Sequence, residues 1–237
     1  MKTRKDYIKE LKTLYWENQI NISDYQVERL AHFAELLVKK NEEVNLVSRK
    51  DTENIIENHI FISSFITEFL PSNTNRFLDI GTGGGLPGIP LAITTPLKRG
   101  VLVDSTGKKT DAVSEFIQKL KLGNLIVENS RVESDEFIKK HKNKFDLIVS
   151  RGTVPLIILF RYSLPLIKDK AYLAVIKGGK LDEEFKTAQL KYKSHIKKST
   201  IFDLSYKPNN VRNKKGKKII LLELTKWANP TSSYLMK

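Results

Sequence analysis

Apolar positions along this chain recur with two different periods, and the change from one to the other falls near residue 75. Before it the spacing is helical. Tyr7, Ile8, Leu11, Leu14 and Tyr15 repeat at three and four residues, which puts them on one face of a helix. Ser23 or Asp24 is placed to cap a second helix, whose apolar face carries Val27, Leu30, Ala31, Ala34, Leu37 and Val38. A third helix is expected from Asp51 through Ile55, Ile56, Ile60 and Phe65 to Leu70, followed by a linker from Pro71 to Asn75. From Arg76 onward, short apolar runs alternate with helical stretches. Strands are predicted at 76–81, 100–104, 124–129, 145–150, 171–177, 198–205 and 217–225. Helices are predicted at 88–95, 107–121, 132–140, 155–167 and 181–194. The expected division is a helical extension over 1–72 and an α/β domain over 73–237.

Helices between successive strands imply a mostly parallel sheet with both faces covered. No helix separates the last two strands, and so short a connection joins only antiparallel neighbours. The expected fold is α/β and Rossmann-like: seven strands, mostly parallel, with an antiparallel last strand and the N-terminal helical extension.

The most informative stretch within this pattern is Arg76–Gly88. An apolar strand with Asp79 near its end runs into Gly83, Gly84 and Gly85, and a second apolar run follows a Pro87-Gly88 step. Strand, tight glycine turn and helix together form an element that holds a nucleoside cofactor, because backbone without side chains can approach the ligand closely. Two alignments compete. Gly83, Gly85 and Gly88 fit G-x-G-x-x-G, the dinucleotide pattern. Asp79, Gly81, Gly83 and Gly85 fit D-x-G-x-G-x-G, a pattern of S-adenosylmethionine methyltransferases. The strand-end acid favours the second, since it repels pyrophosphate but suits a ligand with an ammonium and a sulfonium group. A purely structural glycine turn is the ligand-free reading. Val101–Asp104 adds an acid about 20 residues beyond the glycines, where ribose recognition places one. Asp104 would also serve as a helix cap, a role open equally to Ser105 or Thr106. An antiparallel finish to the sheet is typical of class I methyltransferases and not of dehydrogenases.

Composition narrows the chemistry. The 237 residues carry a net charge of +14, with lysine the commoner base, and contain no cysteine. A polyanionic partner is the physical expectation for such a charge, with lysine-rich composition as the alternative. Disulfides, thiol catalysis and thiolate metal sites are excluded. Histidines at 32, 59, 141 and 195 lack metal-ligand spacing, so no metal is expected. No apolar run approaches about 18 residues and the N-terminus does not resemble a signal peptide, so a cytoplasmic chain free of the membrane is expected. Lys207–Lys218 holds six basic residues and no acid. It reads either as a solvated hairpin tip or as an arm that tracks phosphates.

Several motifs beyond the glycine loop resemble those of the RsmG (GidB) methyltransferases. Asn45–Asp51 is similar to the family's N-L-T-x-x-R-D segment, and Asn58–Ile60 to its R-H-I-x-D-S segment. Asp79–Ile93 nearly reproduces its signature string, including L-P-G-I-P. Asp104–Lys109 matches D-S-x-x-K-[RK], Ser130–Glu133 matches S-R-V-E, Ser150–Arg151 matches the start of S-R-A, and Lys177–Gly178 matches the end of L-K-G. Gly152 and Thr153 depart from the family's Ala-Phe, Ile62 from its Asp, and Lys218 from its Arg.

The resemblance implies a 16S ribosomal RNA guanine-N7 methyltransferase using S-adenosylmethionine and acting on the decoding region. It implies that Asp79, Gly81, Gly83 and Leu86 bind the cofactor, with Gly81 and Leu86 lining its pocket, that Asp104 holds the ribose, and that Val132 and Glu133 border the adenine. It further implies that Arg151 lies near cofactor and target base and that Lys177 lies near the reaction centre. Arg131, with Lys214, Lys215, Lys217 and Lys218 of the basic segment, is expected to face RNA. The expected partner is 16S ribosomal RNA or the small ribosomal subunit, met by a monomer. An NAD-dependent oxidoreductase and a non-catalytic RNA-binding protein are the rival readings. The strand-end Asp79 counts against the first, and the intact glycine loop with Asp104 against the second.

Overall fold

The computed structural model describes residues 2–179, 181–207 and 217–227. Its centre is a seven-stranded sheet: β1 (Arg76–Ile80), β2 (Arg99–Asp104), β3 (Leu125–Asn129), β4 (Phe145–Arg151), β5 (Ile167–Lys177), β6 (Ile196–Asp203) and β7 (Lys218–Thr225). The order across the sheet is β3-β2-β1-β4-β5-β7-β6. The first five strands are parallel, while β7 runs antiparallel to both β5 and β6, with Lys177 opposite Lys218 and Asp203 opposite Lys218. The expected topology is therefore present, with strand ends within a few residues of those read from the pattern.

Alternation along the central strands sends side chains to two cores. Phe77, Leu102, Leu147, Val149 and Ile176 face one side, whereas Leu78, Ile80, Val101, Val103 and Ile148 face the other. The second face is covered by α6 (Asp135–His141), α7 (Leu156–Ser163) and α8 (Asp182–Tyr192). The first is covered by α4 (Gly88–Thr94), α5 (Gly107–Lys119) and the whole N-terminal region.

That region starts with α1 (Arg4–Glu17) and α2 (Asp24–Lys40). Both begin in capping boxes, Thr3 with Asp6 and Ser23 with Gln26, so Ser23 is the residue that caps the second helix. Two polar clasps join α2 to the sheet domain. Gln26 Nε2 donates to the carbonyls of Ile93 and Thr94 at 3.0 and 3.2 Å, and Arg29 donates to those of Leu120 and Lys121. Carbonyls at helix C-terminal ends lack intrahelical partners, so each clasp satisfies groups that burial would otherwise strand. Phe33 meets Phe116 edge-to-face at 5.7 Å, and the extension shares one core with the sheet.

The third helical stretch differs from the single α-helix expected. It runs as a 3-10 turn (Arg49–Asn54), a π turn (Ile56–Phe61), α3 (Ile62–Phe65) and a second 3-10 turn (Ile66–Phe69). Residues 59–66 are buried without interruption. Packing on all sides, and not one apolar stripe, therefore sets the local winding. Wide π turns tend to fall at functional positions, and this one contains His59.

Candidate active site

The C-terminal ends of β1 to β5 lie on one rim of the sheet, joined there by the start of the antiparallel β7. Ligands of open α/β sheets bind at this rim. Two pockets open on it. A narrow one of about 180 Å³ is lined by Gly81, Asp104, Arg131, Val132, Glu133 and Tyr162, among others. A wider one of about 780 Å³ is lined by Asp51, His59, Arg151, Lys177, Glu184 and Lys217, among others. Thr153 lines both, and so forms the wall between them.

The turn after β1 is built from backbone. Gly81 and Thr82 donate their N–H groups to the Val103 carbonyl at 2.9 and 3.0 Å. Gly81 has a φ of +69°, and a Cβ there would lie 2.4 Å from the Thr153 Cγ2. Glycine is required on both counts. Gly84 has another reason to lack a side chain: its Cβ would press on Leu37 and Leu46 at 3.1 Å. One of the three consecutive glycines thus answers to packing of the helical extension, a constraint that the loop pattern alone did not reveal.

Asp79 sits behind this turn, fully buried, and is absent from the lining of either pocket. Its Oδ2 accepts from the Thr82 hydroxyl at 2.7 Å and from the Gly88 N–H at 2.9 Å. Asp79, expected as a cofactor-binding carboxylate near a cationic ligand, therefore does not reach either pocket: its side chain ties the turn to the start of α4. Burial pushes its carboxyl up to about 7, against the lowering effect of those two hydrogen bonds. Leu86 is likewise in the core and not on a pocket wall.

Asp104 takes the position expected of it, at the end of β2 in the wall of the narrow pocket. Its two oxygens accept from the N–H groups of Gly83 and Thr106, each at 3.0 Å. Thr106, and not Asp104, stands at the N-cap of α5, so capping is not the role of this carboxylate; each of its oxygens keeps a further lone pair for a ligand. The Gly83 N–H is the means by which Asp104 holds the glycine turn. Val132 is buried in the pocket wall, and Glu133 pairs at 3.7 Å with Arg131, whose side chain is exposed.

Arg151, at the end of β4, lines the wide pocket. Its Nη2 donates to His59 Nδ1 at 2.7 Å, and Nη1 lies 3.5 Å from the Asn58 carbonyl. Burial brings the guanidinium down to about 10, opposed by the charges of Asp79 and Asp51, and it stays cationic at neutral pH. Burial, then the charges of Arg151 and Lys217, holds His59 near 2, so its imidazole is neutral. Next to Arg151, the Ser150 hydroxyl donates to the Ile80 carbonyl at 2.8 Å and shares a hydrogen bond of 2.7 Å with the Thr153 hydroxyl. This fixes the partition between the pockets to the strand ends.

Lys177 ends β5 and forms an ion pair with Glu184 of α8, which also accepts the Leu156 N–H at 2.5 Å. Glu184 was not legible as a site residue: it reads as one of three consecutive acids in the first turn of a helix, a common solvated arrangement. His59 and Asp51 carried a signal, since both stand in the motif segments, but nothing in the spacing told that they meet Arg151. Lys214 and Lys215 lie outside the described residues. Lys217 lines the wide pocket, and Lys218 stands 3.7 Å from Asp203 across the β6–β7 pair. Among the described residues no group of three His, Asp or Glu side chains is arranged to hold a metal ion, and no helix is long and apolar enough to cross a membrane.

The model of the family described as rRNA small subunit methyltransferase G (GidB) matches residues 26–211. A ribosomal RNA small subunit methyltransferase G from Chlorobium chlorochromatii is 42% identical over 177 residues, covering 74% of this chain and 74% of its own. The protein of the same description from Chlorobaculum tepidum is 41% identical, with 78% of this chain and 84% of its own covered. In fold, a SAM dependent methyltransferase from Aquifex aeolicus superposes with a TM-score of 0.53 at 17% identity, covering 80% of this chain and 98% of its own.

Proposed function

The chain belongs to the rRNA small subunit methyltransferase G family, and from that premise we propose that it methylates N7 of a guanosine in the decoding region of 16S ribosomal RNA. When bound, S-adenosylmethionine would supply the electrophilic methyl carbon for that transfer. The observation that carries this reading is the pair of pockets divided by Thr153. One has the backbone turn and strand-end acid suited to a nucleoside, and the other is wide, cationic and open to a base.

The residues fit the cofactor on structural grounds. Gly83 has open space where a side chain would stand and a φ of +55°, so ligand can approach its backbone. Asp104 would accept from the ribose hydroxyls, and Val132 and Glu133 would flank the adenine. Asp79 acts through the loop it pins.

Guanine N7 has no proton to lose, so this chain needs no general base. Neutral His59 is a poor proton acceptor at its position, and Arg151 and Lys177 are cations. Their task is alignment and exclusion of water, a contribution of up to about 7–11 kcal/mol when geometry is well set. Arg151 orients the base through O6 or a neighbouring phosphate, and Lys177 borders the reaction centre. The target nucleotide leaves its stack to enter the wide pocket, as base-modifying enzymes generally require. Residues 1–72 form the extension that supplies one wall of that pocket. Arg131 and Lys214, Lys215, Lys217 and Lys218 hold the surrounding RNA backbone, and the enzyme works as a cytoplasmic monomer on 16S RNA within or before the small subunit. Transfer of labelled methyl from S-adenosylmethionine to 16S RNA, and its loss in Arg151→Ala, tests the reading.

A further inference from the structure

We propose that His59 is a positioning residue for methyl transfer, a neutral acceptor brought from the helical extension to set the orientation of the Arg151 guanidinium. The proposal rests on the reading of Arg151 as the group that orients the base. The two residues are 92 positions apart in sequence and meet at 2.7 Å between His59 Nδ1 and Arg151 Nη2. Arginine can only donate, so Nδ1 accepts and the ring proton sits on Nε2. Nε2 is buried without a hydrogen-bond partner among the described residues, and the Asp51 Oδ2 lies 3.5 Å away. The Asn58 carbonyl, from the same π turn, faces Nη1 at 3.5 Å. One turn of the extension thus addresses both terminal nitrogens of the guanidinium.

The chemical type of the partner matters. Arg151 feels the charges of both Asp79 and Asp51. A carboxylate at the position of His59 would form a two-pronged ion pair and quench the cation. An imidazole that accepts one hydrogen bond fixes the fork and leaves its positive charge available to an electron-rich base edge or phosphate. Burial keeps the ring neutral, with Arg151 and Lys217 as the cations facing it and Asp51 as the anion. The chain therefore places a functional requirement on the extension: its π turn must stay docked for the strand-end arginine to point correctly.

Two near-isosteric variants separate this role from simple packing. In His59→Asn the side-chain oxygen replaces the Nδ1 acceptor; in His59→Gln the polar group falls toward the Nε2 edge. Turnover is measured with purified small ribosomal subunits lacking the methyl group and saturating S-adenosylmethionine, beside its KM and the melting temperature. His59→Gln is expected to lose roughly tenfold or more in kcat, the scale of one hydrogen bond to a charged group, with KM for S-adenosylmethionine and melting temperature close to wild type. His59→Asn is expected to restore most of that loss. Equal kcat in the two variants, at any level, overturns the proposal while an inactive Arg151→Ala leaves the role of Arg151 standing. Wild-type turnover in Arg151→Ala overturns that role and this proposal together.

Discussion

The buried Asp79 carboxylate accepts the Gly88 N–H at 2.9 Å, and a Cβ on residue 88 would come within 2.7 Å of the same oxygen. Side chain and glycine are therefore matched. The acid reaches the first amide of α4 only because nothing stands between them, and the intervening turn is drawn into a closed cradle. With Thr82 also bound to Asp79 at 2.7 Å, the glycine loop is held from behind by one side chain and from the front by Asp104.

This arrangement predicts a pH-dependent stability difference. Burial raises the Asp79 carboxyl to about 7 in the folded chain, from 3.8 when unperturbed. A raised folded value means that the protonated form stabilises the fold fully below the unfolded value, and that this contribution is lost as pH rises through about 7. Asp79→Asn keeps an acceptor for Thr82 and Gly88 but cannot titrate. Urea unfolding across that window is expected to show the variant gaining on wild type as pH rises, by on the order of a few kcal/mol. Parallel profiles would mean that Asp79 stays ionised throughout.

Asp104 predicts a cofactor effect. Asp104→Ala removes the ribose acceptor and the tether on Gly83 together, and is expected to weaken S-adenosylmethionine binding by about 1.5–3 kcal/mol. Calorimetry with EDTA present should give the same wild-type affinity as without it, and NAD should give no comparable heat. Unchanged affinity in the variant would confine Asp104 to holding the Gly83 and Thr106 amides.

The two cations of the wide pocket should differ. Arg151→Ala is expected to reduce kcat far more than affinity for S-adenosylmethionine. Lys177→Ala should do so more mildly, because the ammonium is already paired with Glu184. Steady-state kinetics for both variants decides the point. Equal falls in kcat and cofactor affinity for Arg151→Ala would make it chiefly a cofactor ligand.

Much of the fold was legible because the parallel strands are buried on both faces and read as apolar runs. The antiparallel finish was legible from a missing helix. Asp104 and Arg151 were legible because each ends a strand. Asp79 stands one residue before the end of β1, but its role depends on where the chain goes nine residues later, which strand position does not reveal. The broken third helix escaped because its buried face is not a stripe. His59 and Glu184 escaped for a common reason: each acts through a contact made only after distant segments pack.

The basic residues near β7 should separate by location. Neutralising Lys214, Lys215, Lys217 and Lys218 together is expected to lower the slope of log affinity against log salt by about three to four units, less on single-stranded RNA. Lys218 should contribute least, since Asp203 lies 3.7 Å from it. Filter binding of 16S RNA over a salt series measures this. An unchanged slope would assign the +14 charge to another face.

Mapping N7-methylguanosine in 16S ribosomal RNA from cells with and without this gene reads the proposed reaction at its own site. One decoding-region guanosine is expected to lose its N7 methyl in the deletion, and to regain it with the wild-type gene but not with its Arg151→Ala form. An identical pattern of N7 methylation in all three strains, or a lost methyl on any atom other than guanine N7, would contradict it.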